Sequence, residues 1–148
     1  MISPQLQKYF DEYAESHQNK VNLAIHKIAI PFIVFHFLAM FTWIPLFVFS
    51  FGTLTLAELF LIPVLVFYIF LNKKYAAIFF IFSLLCLFLA RYTPKSLVIS
   101  IAVLAWVIQL LGHGVWEKKA PAFSQNFIQL LVGPLYMIFL FEKKQPLE

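Results

Sequence analysis

Two short stretches hold nearly all the side chains in this sequence that can bind a metal or move a proton. The first runs from Tyr13 to His26 and carries His17, Asn19, Asn22 and His26. The second is Trp106-Val-Ile-Gln-Leu-Leu-Gly-His-Gly-Val-Trp-Glu117, followed by Lys118, Lys119, Pro121 and Ala122. On a helix, Trp106, Gln109, His113 and Glu117 fall three or four residues apart and share one face. That face sets an imidazole beside a carboxylate. Neutral imidazole is the commonest metal-binding side chain, so His17, His26 and His113 are the candidate ligands. A ligating histidine usually needs a partner on its other ring nitrogen. Glu117 is the first choice for that role beside His113. Asn22 and Gln109 fit the same role, or a contact to a substrate carboxylate.

Other chemistries find little support. The chain has no cysteine cluster, no glycine-rich phosphate loop and no H-E-x-x-H. Its only aspartate is Asp11, which leaves Ser-His-Asp catalysis without support. Cys86 is the single cysteine and reads as a small packing residue. His36 lies ten residues beyond His26, too far along a helix to face the same site, and is read as structural.

The elements that must position these residues belong to a membrane. The chain has 148 residues, 62% hydrophobic and 19% aromatic, with a mean hydropathy of +0.86. Charged residues make up 12%, against about 25% in an ordinary soluble domain. So little charge cannot solvate a water-exposed globule, and an all-α integral membrane protein of one domain, residues 1–148, is expected. The net charge of +4 is scattered in ones and twos. It reports topology and anionic headgroups rather than nucleic-acid binding. No apolar stretch follows a basic start within the first 20 residues, so no cleavable signal peptide is expected.

Residues 4–20 carry apolar side chains at Leu6, Tyr9, Phe10, Tyr13 and Ala14, the stripe of an amphipathic helix. Ser3-Pro4 suits its start. It either lies on the membrane surface or caps the bundle. In one continuous helix His17 and His26 would point to roughly opposite sides. Asn19 and Asn22 are good caps, so a break near 18–22 is expected, and it would let the two rings converge. Apolar segments then follow at about 28–51, 56–71, 75–90, 96–111 and 123–141, giving four or five transmembrane helices. The last is interrupted by Gly133-Pro134, and either crosses or dips in and returns.

Counting crossings gives the arrangement its logic. After four spans His113 returns to the side where His17 and His26 already lie. That side also carries Lys8, Lys20, Lys27, Lys73, Lys74, Lys118 and Lys119, whereas the other carries Arg91 and Lys95. The positive-inside rule makes the histidine side cytoplasmic.

The pattern Tyr13-x3-His17-x-Asn19-x2-Asn22-x3-His26-x4-Pro31, with Trp106-x2-Gln109-x2-Gly112-His113-x3-Glu117-Lys-x2-Pro121-Ala122 and Gly133-Pro134 downstream, resembles the membrane-bound 2-hydroxy fatty acid dioxygenase family. The resemblance covers nearly the whole chain, with its motifs at the two ends. It implies an Fe(II)-dependent oxidoreductase of fatty acid α-oxidation. Its substrates would be a 2-hydroxy fatty acid and O2, its products CO2 and a fatty acid one carbon shorter. His17, His26 and His113 carry over as iron ligands, and Asn22, Gln109 and Glu117 as nearby polar positions. A bacterial inner membrane or the endoplasmic reticulum would be the setting.

Two other readings are open on the residues alone. One is a non-enzymatic transporter or lipid-binding scaffold. Glu58 and His36 are the only clear ionisable groups deep in the spans, too few for an ion pathway. The other is a zinc-dependent hydrolase with Glu117 as general base.

Overall fold

The computed structural model describes residues 2–50, 52–124 and 126–143. Helix α1 (Pro4–Glu15) starts on Ser3, whose hydroxyl accepts the Leu6 N–H. Three further helices follow it, α2 (Lys20–Phe41), α3 (Leu56–Leu71) and α4 (Lys73–Ala90). The Ser3 hydroxyl also donates to the carbonyl of Leu71, which pins the start of α1 to the end of α3. The apolar stripe of α1 is buried at Leu6, Phe10 and Tyr13. Phe10 packs against Tyr75, Tyr136 and Phe139. The helix packs against the bundle through this stripe. It also stops earlier than residue 20.

The chain breaks at Ser16 to Asn19, where a break is expected. Asn19 then caps α2, its Oδ1 accepting the N–H groups of Val21 and Asn22. Helix α5 (Lys95–Leu111) runs without interruption into a π-helix, Gly112–Glu117. Three helical stretches are long and apolar enough to cross a membrane: Lys20–Phe41, Lys73–Ala90 and Lys95–Glu117. Helix α3 is apolar too, and shorter. The outward faces carry large apolar side chains, with Phe70 83% and Leu104 63% exposed. An exterior of this kind suits lipid.

The expected all-α fold with a span over 28–51 needs correction. The helix starts earlier, at Lys20, and ends at Phe41. Strands β1 (Pro45–Phe49) and β2 (Gly52–Thr55) follow as an antiparallel hairpin. Pro45 has no N–H to continue a helix and biases its predecessor away from helical geometry. Val48, Thr53 and Thr55 are β-branched and favour extended backbone. Phe51, the end of the expected span, lies outside the described residues.

Helix α6 (Ile128–Glu142) follows a 3-10 turn at Ala122–Ser124. The expected interruption at Gly133-Pro134 is absent, because α6 continues through both residues. Gly133 packs close: a Cβ there would sit 3.3 Å from Ile30 and 3.4 Å from the Tyr13 hydroxyl. Near the start of α6, the Gln129 side-chain N–H donates to Glu12. At its far end Glu142 pairs with Lys74 at the start of α4. The hairpin and the α4–α5 turn lie together away from the histidines, with Lys95 over the Trp43 ring.

Candidate metal centre

His17 sits in the break after α1, His26 two turns into α2, and His113 in the π-helix. All three are buried. The His26 Nε2 lies 3.1 Å from His17 Nε2 and 3.0 Å from His113 Nε2. The three ring planes are steeply inclined to one another, at 78°, 73° and 86°. His26 and His113 are 87 positions apart in sequence. The break at Ser16–Asn19 and the return of α5 bring the three rings together.

Hydrogen bonds on the far sides of two rings fix their tautomers. His17 Nδ1–H donates to the Tyr13 carbonyl at 2.7 Å, and His26 Nδ1–H to the Asn22 carbonyl at 2.8 Å. A carbonyl only accepts, so each Nδ1 holds the proton and each Nε2 of the neutral ring is a bare lone pair. Burial favours that neutral form: it lowers His17 to about 4, against the raising effect of the Tyr13 carbonyl. Tyr13 supports the same ring again by stacking on it, centroids 3.9 Å apart and planes 2° from parallel.

Bare nitrogens at this spacing repel unless a cation lies between them. Two nitrogens about 2.1 Å from a shared ion at a right angle are about 3.0 Å apart, which is the spacing of His26 Nε2 from each of the other two. Imidazole donors suit iron, zinc, copper and nickel. The residues therefore fit a metal ion, on the tautomers and distances alone.

Gln109 belongs to the same cluster. Its Nε2 lies 2.6 Å from His26 Nε2, and its Oε1 is buried without a partner among the described residues. His113 Nδ1 also lacks a partner among them. Glu117, expected to orient His113 directly, makes its hydrogen bonds elsewhere. Its Oε1 accepts the Gln18 N–H at 2.9 Å, and its Oε2 accepts the Asn19 N–H and the Asn22 Nδ2–H, both at 3.0 Å. The wide turn of the π-helix swings this carboxylate away from the ring four residues earlier and onto the start of α2. Turns of this kind recur at functional sites. Lys118 ends it in a left-handed conformation, φ 52°. Gly112 is needed for close approach: an added Cβ would overlap Asn22 Oδ1.

His36 stands apart and is satisfied. It donates to the Phe32 carbonyl and accepts from Trp106 Nε1–H at 3.3 Å. This bond ties Trp106 of α5 to α2. Glu58 accepts the Thr55 N–H in a capping box at the start of α3.

A cavity of about 470 Å³ opens beside the histidines, lined by His17, His113, Gln109 and Tyr13 at one end and by apolar side chains beyond. Gln129 also lines it. Its Nε2–H is held by Glu12, and its buried Oε1 has no partner among the described residues. Sequence reasoning passes over Gln129. The available signal is an amide that follows Gln125 and Asn126 into the apolar run, where a polar group is a candidate for function.

A family model described as 2-hydroxy-palmitic acid dioxygenase Mpo1-like matches residues 3–146. The chain belongs to the Mpo1-like family. It is similar to the protein named 2-hydroxy-palmitic acid dioxygenase MPO1 of Saccharomyces cerevisiae, with 27% identity over 130 residues, 87% of this chain and 75% of the relative. No solved structure matches. The three histidines, Asn22, Gln109 and Glu117 all lie inside the Mpo1-like match, and all but Glu117 are buried.

Proposed function

We propose that this chain is an Fe(II)-dependent dioxygenase. It takes a 2-hydroxy fatty acid and O2 to the fatty acid one carbon shorter, CO2 and water. Family membership supports the reaction class. The observation that carries the site is the convergence of the Nε2 atoms of His17, His26 and His113 at the mouth of an apolar cavity.

His17, His26 and His113 would hold the iron. When bound, it would supply the redox chemistry that lets O2 react and leave positions open for the hydroxy acid. The protein's own groups do the rest. The Tyr13 and Asn22 carbonyls hold two of the rings in the ligating tautomer. Glu117 ties the π-helix to the start of α2 and so keeps His113 in register with His26. A carboxylate accepts only, so the head of the substrate needs donors. The Gln109 amide and the Tyr13 hydroxyl line that part of the cavity. The tail lies along the apolar walls, which exclude water. An interfacial site suits so amphiphilic a substrate.

The histidine end carries most of the lysines, which supports a cytoplasmic site. A zinc hydrolase needs Glu117 free as a base, and its two oxygens are engaged by Gln18, Asn19 and Asn22. A transporter reading gains nothing from His36 and Glu58, since His36 is held by the Phe32 carbonyl and Trp106 and Glu58 by Thr55.

Elemental analysis of anaerobically purified protein, beside His17→Ala, His26→Ala and His113→Ala, tests the site. The expected result is about one iron per chain, lost in all three variants, with CO2 released from a 2-hydroxy fatty acid under O2 by the wild type alone. Failure to retain metal after Fe(II) addition would overturn the proposal.

A further inference from the structure

The cavity has a direction. Its α2 wall is Ile30, Ile33, Val34, Phe37, Leu38 and Phe41. That spacing is a single stripe on one face of a helix. The cavity therefore runs parallel to α2, and from Ile30 to Phe41 it extends about 16 Å at the helical rise. The polar groups stand at its start, and the α2 wall from Ile30 onward is apolar.

The stripe stops at Phe41, the last residue of α2. There the Phe41 ring meets Phe60 of α3 edge to face, centroids 5.3 Å apart and planes at 72°. Phe37 backs Phe41 at 5.9 Å. Past these rings α2 has ended and the chain turns into the β-hairpin. An edge-to-face pair is a favoured aromatic packing and resists displacement.

We propose that the Phe41–Phe60 pair is the end stop of an acyl channel and sets the preferred tail length of the substrate. The inference rests on the reading that a fatty acyl tail fills this cavity. A tail anchored by its head at the histidines gains burial with each methylene until it reaches the rings. Each buried methylene strengthens binding roughly fourfold. Beyond the stop, a further methylene gains nothing and must push the rings aside. Preference thus rises with length and then breaks. Val34 sits midway along the stripe, so a larger side chain there shortens the channel. Phe60 is half-exposed, and truncating it leaves the buried core in place.

The experiment compares wild type, Phe60→Ala and Val34→Phe as metal-loaded full-length protein in detergent. Turnover is measured on a series of 2-hydroxy fatty acids that grow by two carbons. Binding of plain saturated fatty acids of the same lengths is measured in parallel by displacement of a fluorescent fatty acid. Phe60→Ala should move both optima to longer chains, with at least roughly a fourfold gain for the first chain beyond the wild-type optimum. Val34→Phe should move both to shorter chains. The same optimum in all three proteins, in binding as in turnover, would overturn the end stop, as would wild-type binding that ignores length. The binding series needs no turnover. Graded binding without any CO2 release would therefore sink the proposed reaction and leave the stop standing.

Discussion

The side chains of Asn22 and Glu117, 95 residues apart in sequence, are hydrogen-bonded at 3.0 Å. The same carboxylate accepts the backbone N–H groups of Gln18 and Asn19. One anion thereby joins the break after His17, the first turn of α2 and the end of the π-helix. His17 lies in that break, His26 further along α2 and His113 in the same π-helix. The N–H groups it accepts lie at a helix start, where negative charge is favoured.

Glu117→Ala should weaken metal binding without removing a ligand. Hydrogen bonds to a charged group contribute about 1.5–3 kcal/mol each, and all three are lost together. The expected fall in metal affinity is about 10- to 100-fold, read by competition with a chelator of known affinity. Glu117→Gln keeps an acceptor oxygen and should recover part of the loss. Full metal affinity in Glu117→Ala would show that the clamp does not position the ligands.

The apolar helices, the break after His17 and the three histidines are legible in the sequence because each rests on a local signal. Apolar run length, asparagine caps and imidazole identity are read residue by residue. The hairpin is hidden because Leu46, Phe47, Val48 and Phe49 look like membrane helix to any hydropathy count, and Pro45 alone argues against it. The partners of Glu117 are hidden for a geometric reason. Four residues after His113 is one turn on an α-helix, but the chain there is a π-helix. Gln129 shows in the sequence only as an amide entering an apolar run; its partner Glu12 comes from α1 packing across α6, a tertiary contact.

Gly112→Ala should be costly through one neighbour. The new methyl would collide with Asn22 Oδ1, which is buried. Overpacking of this kind costs about 1–3 kcal/mol. In an Asn22→Ala background the collision is removed, so the same substitution should cost less. Denaturant unfolding of the four proteins gives the coupling, expected to exceed about 0.5 kcal/mol. Additive costs would mean that Gly112 matters through its backbone alone.

Metal should stabilise the fold measurably. The bare nitrogens of His17 and His26 face each other at 3.1 Å, so an ion removes a repulsion as it binds. Free Fe(II) at about 100 times its dissociation constant would add about 2.7 kcal/mol. Under anaerobic conditions the thermal midpoint should rise in the wild type and stay fixed in His26→Ala. His36→Ala removes a histidine that faces Trp106 instead, and should keep the full metal-dependent rise. Loss of that rise in His36→Ala would mean that His36 belongs to the centre.

Acid should destabilise the metal-free protein through His17. Burial holds its folded value down at about 4, while an unfolded chain protonates near about 6.5. Between those values the unfolded state binds a proton that the folded state refuses. The stability is fully present above about pH 6.5 and is lost as the pH falls toward about 4, on the order of 3 kcal/mol in all. His17→Phe keeps an aromatic ring to stack on Tyr13 and removes the titration. Denaturation midpoints of the chelated proteins, followed from about pH 7.5 to about pH 4.5, should diverge, with the wild type falling faster. With metal bound, the nitrogen is occupied and the wild-type fall should begin at lower pH. Parallel curves for wild type and His17→Phe would assign the acid sensitivity to another group.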